Sequence, residues 1–208
     1  MSTMAERLGG MGAVLGEQLE RARRACGEAR SAILVEGVSD QRAMETLARR
    51  RGRDLEADGV VVIPIAGATN LGRFLDLLGP RGCGLSLSGL CDQAEAAEFA
   101  RALGRSGMGD DQDAGGLAAL GFFVCVRDLE EELIRALGVE AMLSIIESQG
   151  HLRRFRTYQA QASHQHKRVE EQLWRWLGNH KIRYAPLMVE ALALDRIPPQ
   201  LDDVLARV

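Results

Sequence analysis

The chain has 208 residues, 46% hydrophobic and 26% charged, with a mean hydropathy of −0.10. That is the make-up of one large globular domain or a domain with a small appendage, big enough to fold without disulfide or metal. No apolar run approaches the roughly 20 residues of a membrane span, the start MSTMAERLGG lacks the features of a secretory leader, and a net charge of −3 excludes a uniformly basic nucleic-acid binder, so a cytoplasmic protein with no membrane partner is expected.

Residues 4–29 read as a helix, with Leu8, Met11, Leu15, Leu19 and Ala22 at helical spacing. SAILVEG follows as a short buried strand, and Ser39 is the expected N-cap of a helix running to about Arg51. GVVVIPIAG is a second apolar run, and Thr69 is the expected cap of the helix NLGRFLDLLG. CGLSLSGLCD with the helix QAEAAEFARALG, then GFFVCV with the helix DLEEELIRALG, complete the alternation. Strands alternating with amphipathic helices, on a period of about 30 residues, predict an α/β fold with a mostly parallel four-stranded sheet flanked by helices on both faces.

Residues 105–116 (RSGMGDDQDAGG) read as a surface loop. After Gly138 the helices VEAMLSIIESQG and RVEEQLWRWLG are expected, with Leu173, Trp174 and Leu177 as the core face of the second. The stretch HLRRFRTYQAQASHQHK between them lacks a period and reads as irregular. Pro186 places the start of the next helix near Tyr184, and a short helical turn is expected after Ile197-Pro198-Pro199. The expected organisation is an N-terminal helix over 1–30, a core over 31–138 and a helical extension over 139–208. The four cysteines (Cys26, Cys83, Cys91 and Cys125) show no zinc-site spacing and are expected to be reduced.

Charge is segregated. Between His151 and Tyr184 eight Lys or Arg face two Glu, a local +6, while the remainder carries −9. Arg153, Arg154, Arg156, Lys167, Arg168 and Arg183 are therefore candidate phosphate contacts, with Phe155 or Tyr158 available to stack on a base; the same arginines could simply solvate a helix. His164-x-His166 is a weak metal pattern.

In an open parallel sheet ligands bind beyond the carboxyl ends of the strands, and acidic residues sit at three such ends: Glu36 with Asp40, Asp92 with Glu95, and Asp128 with Glu130 and Glu131. Hard divalent cations take oxygen ligands, so three converging acidic groups would make a Mg²⁺ site. Asp92-x-x-Glu95 and Asp128-x-x-Glu131 also have capping-box spacing, which gives both pairs a purely structural alternative. Glu36 ends a buried strand before Gly37, where capping is poor and an idle charge is costly.

ILVEGVSD at 33–40 resembles the first motif of the TOPRIM domain, a Rossmann-like fold. IAGATNLGRFL, FFVCVRDLEEELIRALG and KIRYAPLMVEAL are similar, in that order, to the later motifs of the overcoming-lysogenization-defect (OLD) nucleases, over roughly residues 31–195. The resemblance implies a nuclease or nicking hydrolase that uses one or two Mg²⁺ or Mn²⁺ ions on nucleic acid, DNA in the first instance. It makes Glu36 the catalytic glutamate, Asp40 its companion, and Asp92 the first aspartate of a metal-binding DxD. Ala94 stands where the second aspartate is expected, and Glu95 is the available substitute. Asp128 with Glu130 or Glu131 supplies the third acidic group. Lys181, one of only two lysines, matches the lysine placed near the scissile phosphate.

No GxxxxGK[ST] is present, so the ATPase half of OLD nucleases is not expected here. The alternative reading is a catalytically weak binding or regulatory module that works with a separately encoded ATPase; a homo-oligomer is compatible with either. A receiver-like signalling domain fits poorly, because Glu36-Gly37 and Lys181 do not match its acidic pair and its lysine.

Overall fold

The computed structural model describes residues 4–109 and 114–208, with side chains from Gly12 in the first stretch and Gly116 in the second. The elements run α1 (Met4–Glu28), β1 (Ser31–Val35), α2 (Val38–Arg50), β2 (Val60–Pro64), α3 (Leu71–Leu78), β3 (Ser86–Asp92), α4 (Ala96–Ser106), α5 (Ala114–Ala119), β4 (Phe122–Cys125) and α6 (Leu129–Leu137). The strands form one sheet in the order β2-β1-β3-β4, and every pairing is parallel. The chain leaves β1 toward β2 on one side and returns to β3 on the other. The order therefore reverses between β1 and β3, where an open α/β sheet forms its crevice.

Both faces of the sheet are covered, which is why the strands read as continuous apolar runs rather than alternating ones. Ile33, Val35, Val62 and Leu90 point into one core with Met44 and Leu47 of α2 and Leu133 of α6. Ala32, Leu34, Ile63, Leu87 and Cys91 point into the other with Phe74 of α3, Phe99 of α4 and Ala22 of α1.

The helices α7 (Val139–Ser148), α8 (Leu152–Gln159), α9 (Val169–Leu177), α10 (Lys181–Ala191) and α11 (Pro199–Ala206) complete the first core, with α10 lying along α2 and α6. Arginines at and just beyond the C-terminal end of α2 pin this extension. Arg50 donates to the Val189 and Leu192 carbonyls at 2.6 Å, and Arg53 to those of Leu205 and Val208 at 2.6 and 3.0 Å. These carbonyls lie at or just beyond helix C-termini, where a cation is favoured and orphan acceptors need donors.

Several local expectations are corrected. The stretch expected to be irregular contains α8; its arginines mask a single inward position, Phe155, which is fully buried. Helix α10 begins at Lys181 with Pro186 inside it. Proline cannot bond the carbonyl four residues earlier, and that carbonyl, on Ile182, accepts from Arg42 Nη1 at 3.4 Å instead. Gly37 rather than Ser39 caps α2, and Asn70 rather than Thr69 precedes α3. The loop expected at 105–116 overlaps the end of α4 and the start of α5, and residues 110–113 lie outside the described ones. Cys26 and Cys83 are not free thiols. They form a disulfide from α1 to the turn after α3, with Cα atoms 5.5 Å apart across 57 positions of sequence, a pairing no spacing rule reveals. Cys91 and Cys125 are free and buried, as expected. Among the described residues no helix is long and apolar enough to cross a membrane.

Candidate metal centre at the sheet switch point

Glu36 immediately follows β1, and its side-chain Oε1 accepts the backbone N–H of Asp92 at 2.8 Å. Its carbonyl accepts from the N–H of Gly67 at 3.3 Å. The Gly67 turn requires backbone conformations that favour glycine: Gly67 has φ 103° and the preceding Ala66 φ 56°. Asn70 Nδ2 closes this turn by donating to the Ala66 carbonyl at 2.8 Å. The glycine- and asparagine-containing segment after β2 thus fixes the backbone of Glu36 while β3 fixes its carboxylate.

Asp40, in the first turn of α2, accepts the Gly37 N–H at 2.9 Å and so completes the cap of its own helix. Asp92 ends β3 without making the side-chain cap that its spacing to Glu95 suggested. Asp128 does make its cap: Oδ1 accepts the Glu131 N–H at 2.8 Å. Its Oδ2 accepts both the Trp174 indole N–H at 2.8 Å and the Lys181 ammonium at 2.9 Å. Lys181 Nζ also donates to Glu130 Oε2 at 2.7 Å. Glu130 is 1% exposed, and its other oxygen, Oε1, is buried with no hydrogen-bond partner.

The two glutamates after Asp128 separate by direction. Glu130 faces Lys181 and Asp40, whereas Glu131 faces Arg135 at 3.7 Å. Glu95 is half-buried and raises the pKa of Glu36, while Ala94 is exposed. The structure thus gathers Glu36, Asp40, Asp92, Glu95, Asp128 and Glu130 with Lys181, and directs Glu131 elsewhere.

Electrostatics record the crowding. Burial, then the neighbouring Glu130 and Glu36, raise Asp40 to about 7 against the opposing Gly37 N–H. Burial, then Glu36, Asp40 and Asp128, raise Asp92 to about 8. Glu36 is raised by burial and Glu95 against the pull of the Asp92 N–H. Burial raises Glu130 against the pull of Lys181. Burial alone would depress Lys181, but Glu130 and Asp128 outweigh it and hold the ammonium charged, above its ordinary value. Hard oxygen donors, excess negative charge and the orphaned, buried Oε1 of Glu130 suit Mg²⁺ or Mn²⁺ rather than a softer metal. As the side chains lie, no three His, Cys, Asp or Glu among the described residues already surround one ion position.

The basic segment is less concerted. Arg153, Arg154 and Arg156 are exposed on α8, with Arg156 bonded to Gln159. Arg168 pairs with Glu170, Arg183 donates to Gln149, and Lys167 is half-buried. Phe155 cannot stack on a base, because it is fully buried; Tyr158 stacks on His164 with ring centroids 4.0 Å apart. Trp174 was expected in the core, but Trp176 takes that place between Leu173 and Leu177, following the three- and four-residue spacing of a helix face. Trp174 is half-buried at the acidic cluster, with the Arg127 guanidinium 3.3 Å over its ring. Its pairing with Asp128 spans 46 positions of sequence and has no local signal. A cleft of about 920 Å³ between α1, α2 and β2 contains none of these acidic candidates.

Residues 29–93 match the family model described as overcoming lysogenization defect protein-like, TOPRIM domain. The fold is similar to the C-terminal region of the Xanthomonas campestris pv. campestris OLD protein, with a TM-score of 0.65 and 25% identity over 86% of this chain and 92% of that one. It is also similar to the C-terminal region of the Burkholderia pseudomallei OLD protein, with a TM-score of 0.66 and 22% identity over 86% and 96% of the two chains. No curated protein sequence matches the chain. The parallel sheet with Glu36 and Asp92 at its switch point, the matched segment and the shared fold together mean that this chain carries a TOPRIM domain resembling the C-terminal region of OLD proteins.

Proposed function

We propose that the chain is a divalent-cation-dependent nuclease or nicking hydrolase acting on nucleic-acid phosphodiesters, with DNA as the preferred substrate. The observation that carries this reading is the convergence of Glu36, Asp40, Asp92, Asp128 and Glu130 with Lys181 at the carboxyl ends of β1, β3 and β4. These carboxylates, with Glu95, are the residues that would hold Mg²⁺ or Mn²⁺. When bound, such an ion supplies charge neutralisation at the phosphate and activation of the attacking water.

The protein's own contribution is positional and electrostatic. Glu36, fixed by the Asp92 N–H, is the group to orient or deprotonate a water molecule beside the phosphate. Lys181 is the compact positive charge that stabilises the extra negative charge of the transition state. The exposed arginines of α8, with Lys167, Arg168 and Arg183, would steer the polyanion without reading its sequence.

A second reading, a binding or regulatory module paired with a separate ATPase, is favoured by one observation: Ala94 occupies the position of an expected carboxylate and is exposed. Incubating the purified chain with supercoiled, linear and single-stranded DNA in Mg²⁺ or Mn²⁺ separates the two. Metal-dependent cleavage lost in Glu36→Gln supports the nuclease; binding without cleavage by the unaltered chain supports the module.

A further inference from the structure

Lys181 stands where a cation would stand. Its ammonium lies 2.9 Å from Asp128 Oδ2 and 2.7 Å from Glu130 Oε2. Among the described residues it is the cation ion-paired to this cluster. A divalent ion held by those oxygens and an ammonium at hydrogen-bond distance from them would repel each other across a buried, weakly screened space.

The two sides of the contact differ in freedom. The Lys181 side chain is 33% exposed, those of Asp128 and Glu130 only 8% and 1%. Lysine therefore has a path toward solvent and the carboxylates do not. Asp128 keeps the Glu131 N–H and the Trp174 indole N–H when Lys181 leaves, and Glu36 and Asp40 keep their backbone donors. Glu130 would lose the Lys181 donor, and its Oε1 has no partner already. Nor is the ion pair needed as a staple for α10, since that helix is buried along α2 and pinned by Arg50.

We propose that Lys181 is a built-in counter-ion that must leave Asp128 and Glu130 before a divalent cation is held there, so that cation loading and release of the lysine toward the substrate phosphate are one event. This rests on the metal-dependent reading of the site and adds its regulation: the ammonium is offered to phosphate only by a loaded centre. Trp174, bonded to the same Asp128 oxygen, reports the exchange.

The test is calorimetric titration of the full chain with Mn²⁺, comparing the unaltered protein with Lys181→Met. Removing the competitor should tighten Mn²⁺ binding at least about tenfold, within the range typical of coupled equilibria. Equal or weaker affinity in a folded variant overturns the displacement while leaving the metal reading intact. No Mn²⁺ binding to either protein overturns both.

Should Lys181→Met fail to fold, nuclear magnetic resonance on the unaltered chain decides. Mg²⁺ should shift the Trp174 indole N–H and the Lys181 ammonium signal together, the latter easily assigned because Lys167 is the only other lysine. A Lys181 signal unmoved at saturating Mg²⁺ overturns the proposal, and the Mn²⁺ titration of the same protein then shows whether the metal reading falls with it.

Discussion

Glu36 accepts the backbone N–H of Asp92 at 2.8 Å, so the carboxylate that follows β1 is fixed by the strand that carries the next one. The contact crosses the point where strand order reverses and makes two jobs of Glu36 separable. A glutamine can still accept that N–H but carries no negative charge.

Glu36→Gln should therefore abolish cleavage, by about 10²-fold or more, while thermal melting stays level or rises as repulsion from Glu95 and Asp128 is relieved. Glu36→Leu should also lose activity and in addition melt earlier, because the orphaned Asp92 N–H costs about 1–3 kcal/mol. Melting curves beside a cleavage assay check both. A glutamine variant that keeps full activity would remove Glu36 from the chemistry.

The crowded carboxylates predict a pH dependence of stability in chelator. Asp40 and Asp92 are raised from 3.8 to about 7 and about 8, so the folded chain holds their protons more tightly than the unfolded chain. Their contribution is fully present below 3.8 and is lost as pH rises through about 7 to 8. The melting temperature in EDTA should fall across that window, and Mg²⁺ should flatten the fall by replacing protons with a bound cation. Asp40→Asn, which can still accept from Gly37, should remove part of the slope.

Glu95 and Ala94 offer a comparison one residue apart. Glu95 is half-buried and acts on Glu36, whereas Ala94 is exposed. Glu95→Gln should weaken divalent-cation binding measurably, and Ala94→Asp should change it less. If Ala94→Asp tightens a second ion and speeds cleavage, the exposed position reaches the site and the chain is an attenuated form of a two-ion centre.

Much of this was legible in the residues. The four strands follow from apolar runs, and Glu36, Asp92 and Asp128 stand out in the sequence because they end strands in a parallel alternation. What stayed hidden was long-range or masked. The bond from Trp174 to Asp128 and the Cys26–Cys83 disulfide join residues 46 and 57 positions apart. Helix α8 was obscured because Arg153, Arg154 and Arg156 surround its one fully buried side chain, Phe155. Helix α10 starts earlier than Pro186 suggests because proline rules assume an unrelieved carbonyl, and Arg42 relieves it from another helix. That Glu130 faces Lys181 while Glu131 faces Arg135 was equally hidden, since adjacent helical residues point about 100° apart and nothing in the sequence fixes the rotation of α6.

The last prediction separates substrate steering from chemistry. Arg153 and Arg154 are exposed and make no ion pair among the described residues, while Arg156 is held only by the neutral Gln159. Neutralising all three should weaken nucleic-acid binding alike for every sequence and flatten its salt dependence, because each phosphate contact releases counterions. Lys181 instead lies inside the acidic cluster, paired with Asp128 and Glu130. Lys181→Ala should leave binding nearly intact and lower cleavage by about 10²-fold or more, the loss expected for a contact made in the transition state. Binding isotherms over a range of salt, beside single-turnover cleavage, read the two effects separately. If binding and cleavage fall in parallel for Lys181→Ala, the lysine is one more phosphate clamp. If neither change affects binding, the basic surface serves a protein partner instead, and the regulatory-module reading takes first place.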